Sequence, residues 1–236
     1  MQQPFSFFYY NALPVIHRKD VETIYITEWK MNRPENMRQA VTAIVTAWER
    51  TPWSAFLLSS SCLVSTDGDT VLIYEQWASH EADPTYRRMW VEETERVAGI
   101  TYATPVAYRL YRSAVSEAIR VPGCIVLVSA AFDRAETAQQ WVDTVFEALA
   151  SEVNPHPGGI AGHFHISTEG KGARVINYAE WVDEEAHKQA IETGSGRGIA
   201  RSDSQAWQRV RHFPGMKPAG ELKRYHLYRS ISQTKN

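Results

Sequence analysis

Two histidines one residue apart, His163 and His165, and an asparagine and tryptophan four apart, Asn177 and Trp181, have types and spacing suited to chemistry. On a strand, residues i, i+2 and i+4 project from one face. His163 and His165 therefore share a face, opposite Phe164 and Ile166. Asn177 and Trp181 share a face, with Ala179 between them. An imidazole that titrates near neutral pH can take a proton from a substrate hydroxyl, and the resulting phenolate or hydroquinone anion reacts faster with oxygen. The Asn177 carboxamide can hydrogen-bond a phenol or quinone oxygen, and Trp181 can stack on a flat ring. Each residue also has a plain structural reading, since a tryptophan on a strand is often simply core. A His-x-His pair on a strand can chelate a metal. No third ligand is fixed by spacing here; His156, His187 and Glu180 are the candidates, and no metal is expected. No GxSxG or CxxC pattern supports a hydrolase or a redox dithiol.

The elements that must position these residues come as an internal repeat. Tyr108–Ser113 reads YRLYRS and Tyr225–Ser230 reads YHLYRS. Upstream, Val71–Trp77 reads VLIYEQW and Val175–Trp181 reads VINYAEW, each preceded by a turn (STDG at 65–68, STEG at 167–170). Trp77 is the counterpart of Trp181, and Ile73 stands where the second copy has Asn177. Tyr74 and Tyr178 are likewise equivalent and point away from the tryptophan of their strand, which suggests a shared packing role; Tyr178 and Trp77 are also candidate substrate contacts.

Each copy reads strand–helix–strand–strand–helix–strand. In the first, Thr23–Lys30 is rich in β-branched and aromatic residues. Pro34 suits the first turn of a helix, and Met37, Val41, Ile44, Val45 and Trp48 recur at helical spacing. Phe56–Ser65 and Thr70–Trp77 make a hairpin around Asp67-Gly68. A polar helical segment runs to about Val97, and Val106–Arg112 closes the copy. In the second, Cys124–Phe132 is a strand and Asp133 with Glu136 forms a capping-box pattern. Trp141, Val142, Val145, Phe146 and Leu149 supply the apolar stripe. Gly162–Ser167 and Arg174–Trp181 are the hairpin. Asp183–Thr193 and about Ser204 to His212 are helices, and Lys223–Arg229 closes. The expectation is an α+β protein of two tandem ferredoxin-like modules, 1–115 with an N-terminal extension and 116–236, linked through 114–123. A four-stranded sheet with helices on one side leaves its other face bare. Two such sheets that face each other close a barrel, and the space between them is a natural pocket.

Composition agrees with a globular chain. It has 236 residues, 44% of them hydrophobic, with net charge −2. No basic patch points to nucleic acid, and no apolar stretch approaches the ~20 residues of a membrane span. The N-terminus lacks the pattern of a signal peptide, and Cys62 and Cys124 sit in apolar strand-like runs as buried thiols. A cytoplasmic location is expected.

The repeated module, above all its third strand ending in aromatic-x-x-Trp before an acidic helix start, resembles the antibiotic biosynthesis monooxygenase family, whose fold is the dimeric α+β barrel. The resemblance covers nearly all of the chain beyond about residue 20. Small cofactor-independent quinone-forming members carry Asn and Trp four apart on that strand, as Asn177 and Trp181 are here. The tandem length is similar to that of ring-opening oxygenases of angucycline polyketide biosynthesis, which use reduced flavin (FADH2 or FMNH2). The resemblance implies an oxygenase on a small polycyclic aromatic substrate, opening or oxidising a quinone or hydroquinone ring with O2 and diffusible reduced flavin from a flavin reductase. A cofactor-free anthrone-type monooxygenase and a non-catalytic ligand-binding barrel stay open, as does a homodimer. Gly194–Gly198, GSGRG, lacks both Rossmann and P-loop context. As a lid it would let Arg197 and Arg201 pair with an anionic substrate or a flavin phosphate.

Overall fold

The computed structural model describes residues 5–80, 100–101, 104–117, 120–151, 158–170, 172–192 and 204–235, together with positions 82, 85, 86, 88 and 92. The chain divides into two compact units. The first comprises residues 1–108 and 225–236, the second 109–224.

In the first unit the β-branched run Thr23–Met31 forms β2, and Leu57–Ser65 and Thr70–Trp77 form β3 and β4. Gly68 takes φ 75° between the latter two, a conformation cheap only for glycine. Pro34 opens a 3-10 turn that leads into α1, Met37–Arg50. The stripe Val41, Ile44 and Trp48 packs on Trp29, Cys62, Val71 and Ile73, so this face of the sheet is sealed by the helix. β1 (Phe5–Tyr10), which lies in the N-terminal extension, pairs antiparallel with β11 (Lys223–Lys235), and β11 pairs with β3 through Tyr225–Ser232. β2 pairs with β4, with the short β5 (Ile100–Thr101), and with the first residues of β6 (Val106–Val115).

The second unit repeats the plan. β7 (Cys124–Phe132) pairs with β9 (Ala173–Trp181), and β9 with β8 (Gly159–Ser167). β6 lies beside β8, and β10 (Lys217–Pro218) pairs with β7. α2, Ala135–Ala150, carries Trp141, Val142 and Val145 onto Phe132, Phe164, Ile166 and Val175. α3 is Glu184–Glu192 and α4 is Gln205–Arg211. The Trp141 indole donates to the Val210 carbonyl at 3.1 Å and ties α4 to α2. In both units the strands of one module lie in the ferredoxin-like order fourth, first, third, second: β6-β2-β4-β3 and β11-β7-β9-β8. The expected α+β class and module order are thus present.

Several local expectations change; β6 runs on to Val115, into the expected linker, and β11 to Lys235. The N-cap of α2 is Arg134 in extended conformation, with no side-chain cap bond. Asp133 instead accepts from Lys217 Nζ at 3.1 Å, an exposed pair, so the capping box does not form. Arg174–Trp181 and Gly162–Ser167 both begin earlier than expected, at 173 and 159, because ladder pairing carries small residues into the strand. Cys62 and Cys124 are buried free thiols, and burial pushes the Cys62 thiol up. Among the described residues no helix is long and apolar enough to cross a membrane.

Candidate functional site

The ladder fixes which way each side chain on β9 points. Phe164 pairs with Asn177, and Val128 pairs with it from the other side. Phe164 belongs to the core beneath α2, so Asn177 faces the helices. Ala173 and Val175, earlier on the same face, are sealed there. Further along the strand the seal opens: Val128, Gly162, Asn177, Ala179 and Trp181 are all half-buried. The matching positions of the first unit, Thr27, Ser60, Ile73, Glu75 and Trp77, are each at most 5% exposed. In the first unit Trp53, Ala82 and Tyr86 pack around Trp77 at this end, and the strand residues also differ in bulk. Glu75 sits between Ser60 and Tyr25 on its neighbouring strands, whereas Ala179 sits between Gly162 and Val126. The second unit therefore has a half-open floor between sheet and helices, and the first has a filled one.

Three polar groups border this floor. The Asn177 Oδ1 is buried and accepts no hydrogen bond. It lies close over Gly162, where a Cβ would come within 3.2 Å of it. The Trp181 indole meets the His187 ring edge-on, with centroids 4.8 Å apart and an interplanar angle of 69°. His187 is buried on α3, whose first turn is held by Asp183 Oδ1 accepting from the Ala186 amide at 2.7 Å. Its Nδ1 lies 2.8 Å from Arg224 Nε. Arginine can only donate, so Nδ1 accepts and the neutral ring carries its proton on Nε2.

The histidines of β8 point the other way. His163 pairs with Tyr178 and His165 with Ile176, all on the face away from α2. His165 is fully buried. Burial, followed by the neighbouring His163, holds its pKa down at about 3. This ring is neutral at any ordinary pH and is a weak base. His163 lies with Nδ1 2.9 Å from Ser113 Oγ and Nε2 3.6 Å from Glu180 Oε1. The Tyr178 ring tilts against it at 6.3 Å. The residues singled out in the sequence are thus divided. Asn177 and Trp181 meet on the open floor, and His163, His165 and Tyr178 meet on the opposite face. Trp77 sits in the first unit, packed against Tyr25 and Tyr86. Arg197, Arg201 and His156 lie outside the described residues. His187, weighed in the sequence only as a metal ligand, joins the floor. Its place six residues after Trp181, one helical turn into α3, was the available signal. Among the described residues no group of three or more His, Cys, Asp or Glu side chains could hold a metal ion.

No protein-family model matches the chain, and no curated protein matches its sequence. Solved structures do match in fold. An anthrone oxidase-like protein aligns with TM-score 0.68 and 15% identity over 91% of this chain and 94% of its own. A protein described as a monooxygenase from Fusobacterium nucleatum subsp. nucleatum aligns with TM-score 0.52 and 7% identity, covering 93% and 100%. An uncharacterised ferredoxin-fold protein related to antibiotic biosynthesis monooxygenases, from Listeria monocytogenes, aligns with TM-score 0.45 and 11% identity, covering 91% and 98%. At these identities the likeness is one of fold.

Proposed function

We propose that the protein is an oxygenase of aromatic polyketide biosynthesis that binds a flat polycyclic substrate on the half-open floor of its second unit and oxidises one ring with O2. The observation that carries this reading is the half-buried stretch of the helix-side sheet face at Gly162, Asn177, Ala179 and Trp181, in a module whose twin is buried at the same positions. Trp181 offers a stacking face, and the buried Asn177 oxygen, which has no hydrogen bond in the fold, is the acceptor a substrate hydroxyl meets once a ring displaces that side chain from over Gly162. His187, protonated on Nε2, supplies a donor for a substrate oxygen that gains negative charge. The likeness in fold to an anthrone oxidase-like protein is in keeping with this reading.

The pairing of Asn177 with Trp181 on one floor favours the version without flavin. In that version a ring methylene loses two hydrogens and becomes a carbonyl. One atom of O2 enters the carbonyl and the other leaves as water, so all four electrons come from the substrate. In the ring-opening version reduced flavin would supply the two electrons needed to take the second oxygen atom to water, with Arg197 and Arg201 as its phosphate partners. Oxygen uptake and product mass are measured with an anthrone and with an angucycline-type quinone, each with and without enzymatically reduced flavin. Anthrone turnover without flavin is the expected result. Turnover only with reduced flavin supports the ring-opening version, and silence in every arm overturns the oxygenase reading.

A further inference from the structure

The face of the second unit opposite this floor carries a separate arrangement. Ser113, His163 and Glu180 stand on β6, β8 and β9, three strands adjacent in the sheet. Ser113 Oγ lies 2.9 Å from His163 Nδ1, and His163 Nε2 lies 3.6 Å from Glu180 Oε1. At 3.6 Å the Glu180 carboxylate is a charged neighbour of Nε2 rather than a hydrogen-bond partner; its charge favours a proton on that nitrogen, which leaves Nδ1 as the acceptor. Ser113 then donates its hydroxyl hydrogen to Nδ1. This is the polarity in which an imidazole draws a proton from a serine while an acid holds the ring in one tautomer. The burial is graded. His163 is 2% exposed, whereas Ser113 and Glu180 on either side of it are half-buried.

The repeat supplies a control within the same chain. The counterparts of Ser113, His163 and Glu180 in the first unit are Ser230, Ser61 and Gln76. Ser230 and Ser61 are register partners there, just as the serine and histidine are neighbours in the second unit. All three are neutral groups, and two have structural duties. Ser230 donates to the Ala12 carbonyl at 2.6 Å, and Gln76 accepts from Ser59 at 2.7 Å and donates to Val15 at 2.9 Å. The serine is common to both units, while the base and the acid occur together in the second alone. Packing does not require them, because the first unit closes the same sheet positions without them.

We propose that Ser113 is a nucleophile activated by His163, with Glu180 as the positioning acid, and that this site accepts small activated esters or thioesters. Ser113 Oγ attacks the carbonyl carbon as its proton passes to His163 Nδ1. The carbonyl re-forms as the leaving alcohol or thiol departs with that proton, and an acyl-serine remains. Water, deprotonated by the same nitrogen, then releases the carboxylic acid and restores Ser113. No oxidant or cofactor takes part, so this activity stands or falls independently of the oxygenase reading.

The test treats the full chain with a fluorophosphonate ester and maps the adduct by peptide mass, with p-nitrophenyl acetate hydrolysis as the second readout. The expected adduct is on Ser113, is absent in Ser113→Ala, and forms on the order of a hundredfold more slowly in His163→Gln. Glu180→Gln should slow it about tenfold, and Glu180→Asp should restore part of the rate. Ser113→Ala leaves oxygenase turnover unchanged. Circular dichroism confirms that each variant is folded. No adduct on Ser113 in folded wild-type protein, or equal rates in wild type and His163→Gln, would overturn the proposal.

Discussion

His165 makes the folded protein sensitive to acid. Its ring is sealed among apolar neighbours and beside His163, and its pKa falls from 6.5 to about 3 on folding. Between those values the unfolded chain takes up a proton that the folded chain refuses. The contribution to stability is therefore intact above pH 6.5 and declines as pH falls towards 3, by about 1.4 kcal/mol for each pH unit. Urea unfolding at pH 7, 5 and 4 checks this: His165→Leu should lose stability less steeply than wild type over that range. A matching slope in the two proteins would show that the proton is taken up elsewhere. Asn177 makes the opposite case. Its side-chain oxygen accepts nothing in the fold, so Asn177→Ala should leave the urea midpoint within a few tenths of a molar unit while lowering oxygenase turnover on the order of tenfold to a hundredfold. The spacing of Asn177 and Trp181 was legible in the sequence because strand periodicity is rigid. What packs on their face was not, since alternation says which residues point together and not what they point at. The same limit hid the separation of Asn177 from His163 and His165, which sit on an adjacent strand but on the other side of the sheet.

At the scale of the element, the floor depends on small residues in β8 and β9 rather than on any catalytic group. Gly162 lies under Asn177 and Phe164, and a Cβ there would come within 3.2 Å of Asn177 Oδ1 and 3.5 Å of the Phe164 ring. Gly162→Val should crowd this floor, raise KM for an aromatic substrate about tenfold or more, and leave the far-ultraviolet dichroism unchanged. Wild-type KM in that variant would move the substrate to another part of the molecule. Several strand limits, such as Thr70–Trp77 and Cys124–Phe132, were readable to the residue because hairpin glycines and the Pro122-Gly123 pair bound them. The capping box at Asp133 was readable and does not form. A sequence pattern names a local option, and here the Asp133 side chain lies with Lys217, which is remote in sequence.

At the scale of the whole molecule, the repeat pointed to a two-module plan because its closing strands keep nearly the same six residues. It did not show where the compact units divide along the chain. Val106–Tyr108 belong to the first unit while the rest of β6 belongs to the second, and β11 passes into the first unit at Tyr225. A chain ending at Leu222 should therefore lose cooperative unfolding of the first unit, although nearly all residues of that unit's own copy remain. Amide hydrogen exchange would read this as lost protection in β3. Full protection of β3 in the shortened chain would show that β11 is dispensable to it.

The pairing of β3 with β11 also sets an order of events during synthesis. Ser65 leaves the ribosome 160 residues before Tyr225, its partner in the ladder. At ordinary elongation rates that is a wait of roughly 8–30 s. For that interval one side of β3 is a bare row of amides and carbonyls, the kind of edge on which nascent chains join one another. The strand that waits reads LLSSSCLVS. Three consecutive serines interrupt its apolar run, and they keep an unpartnered edge from being a sticky one until the last strand emerges to claim it.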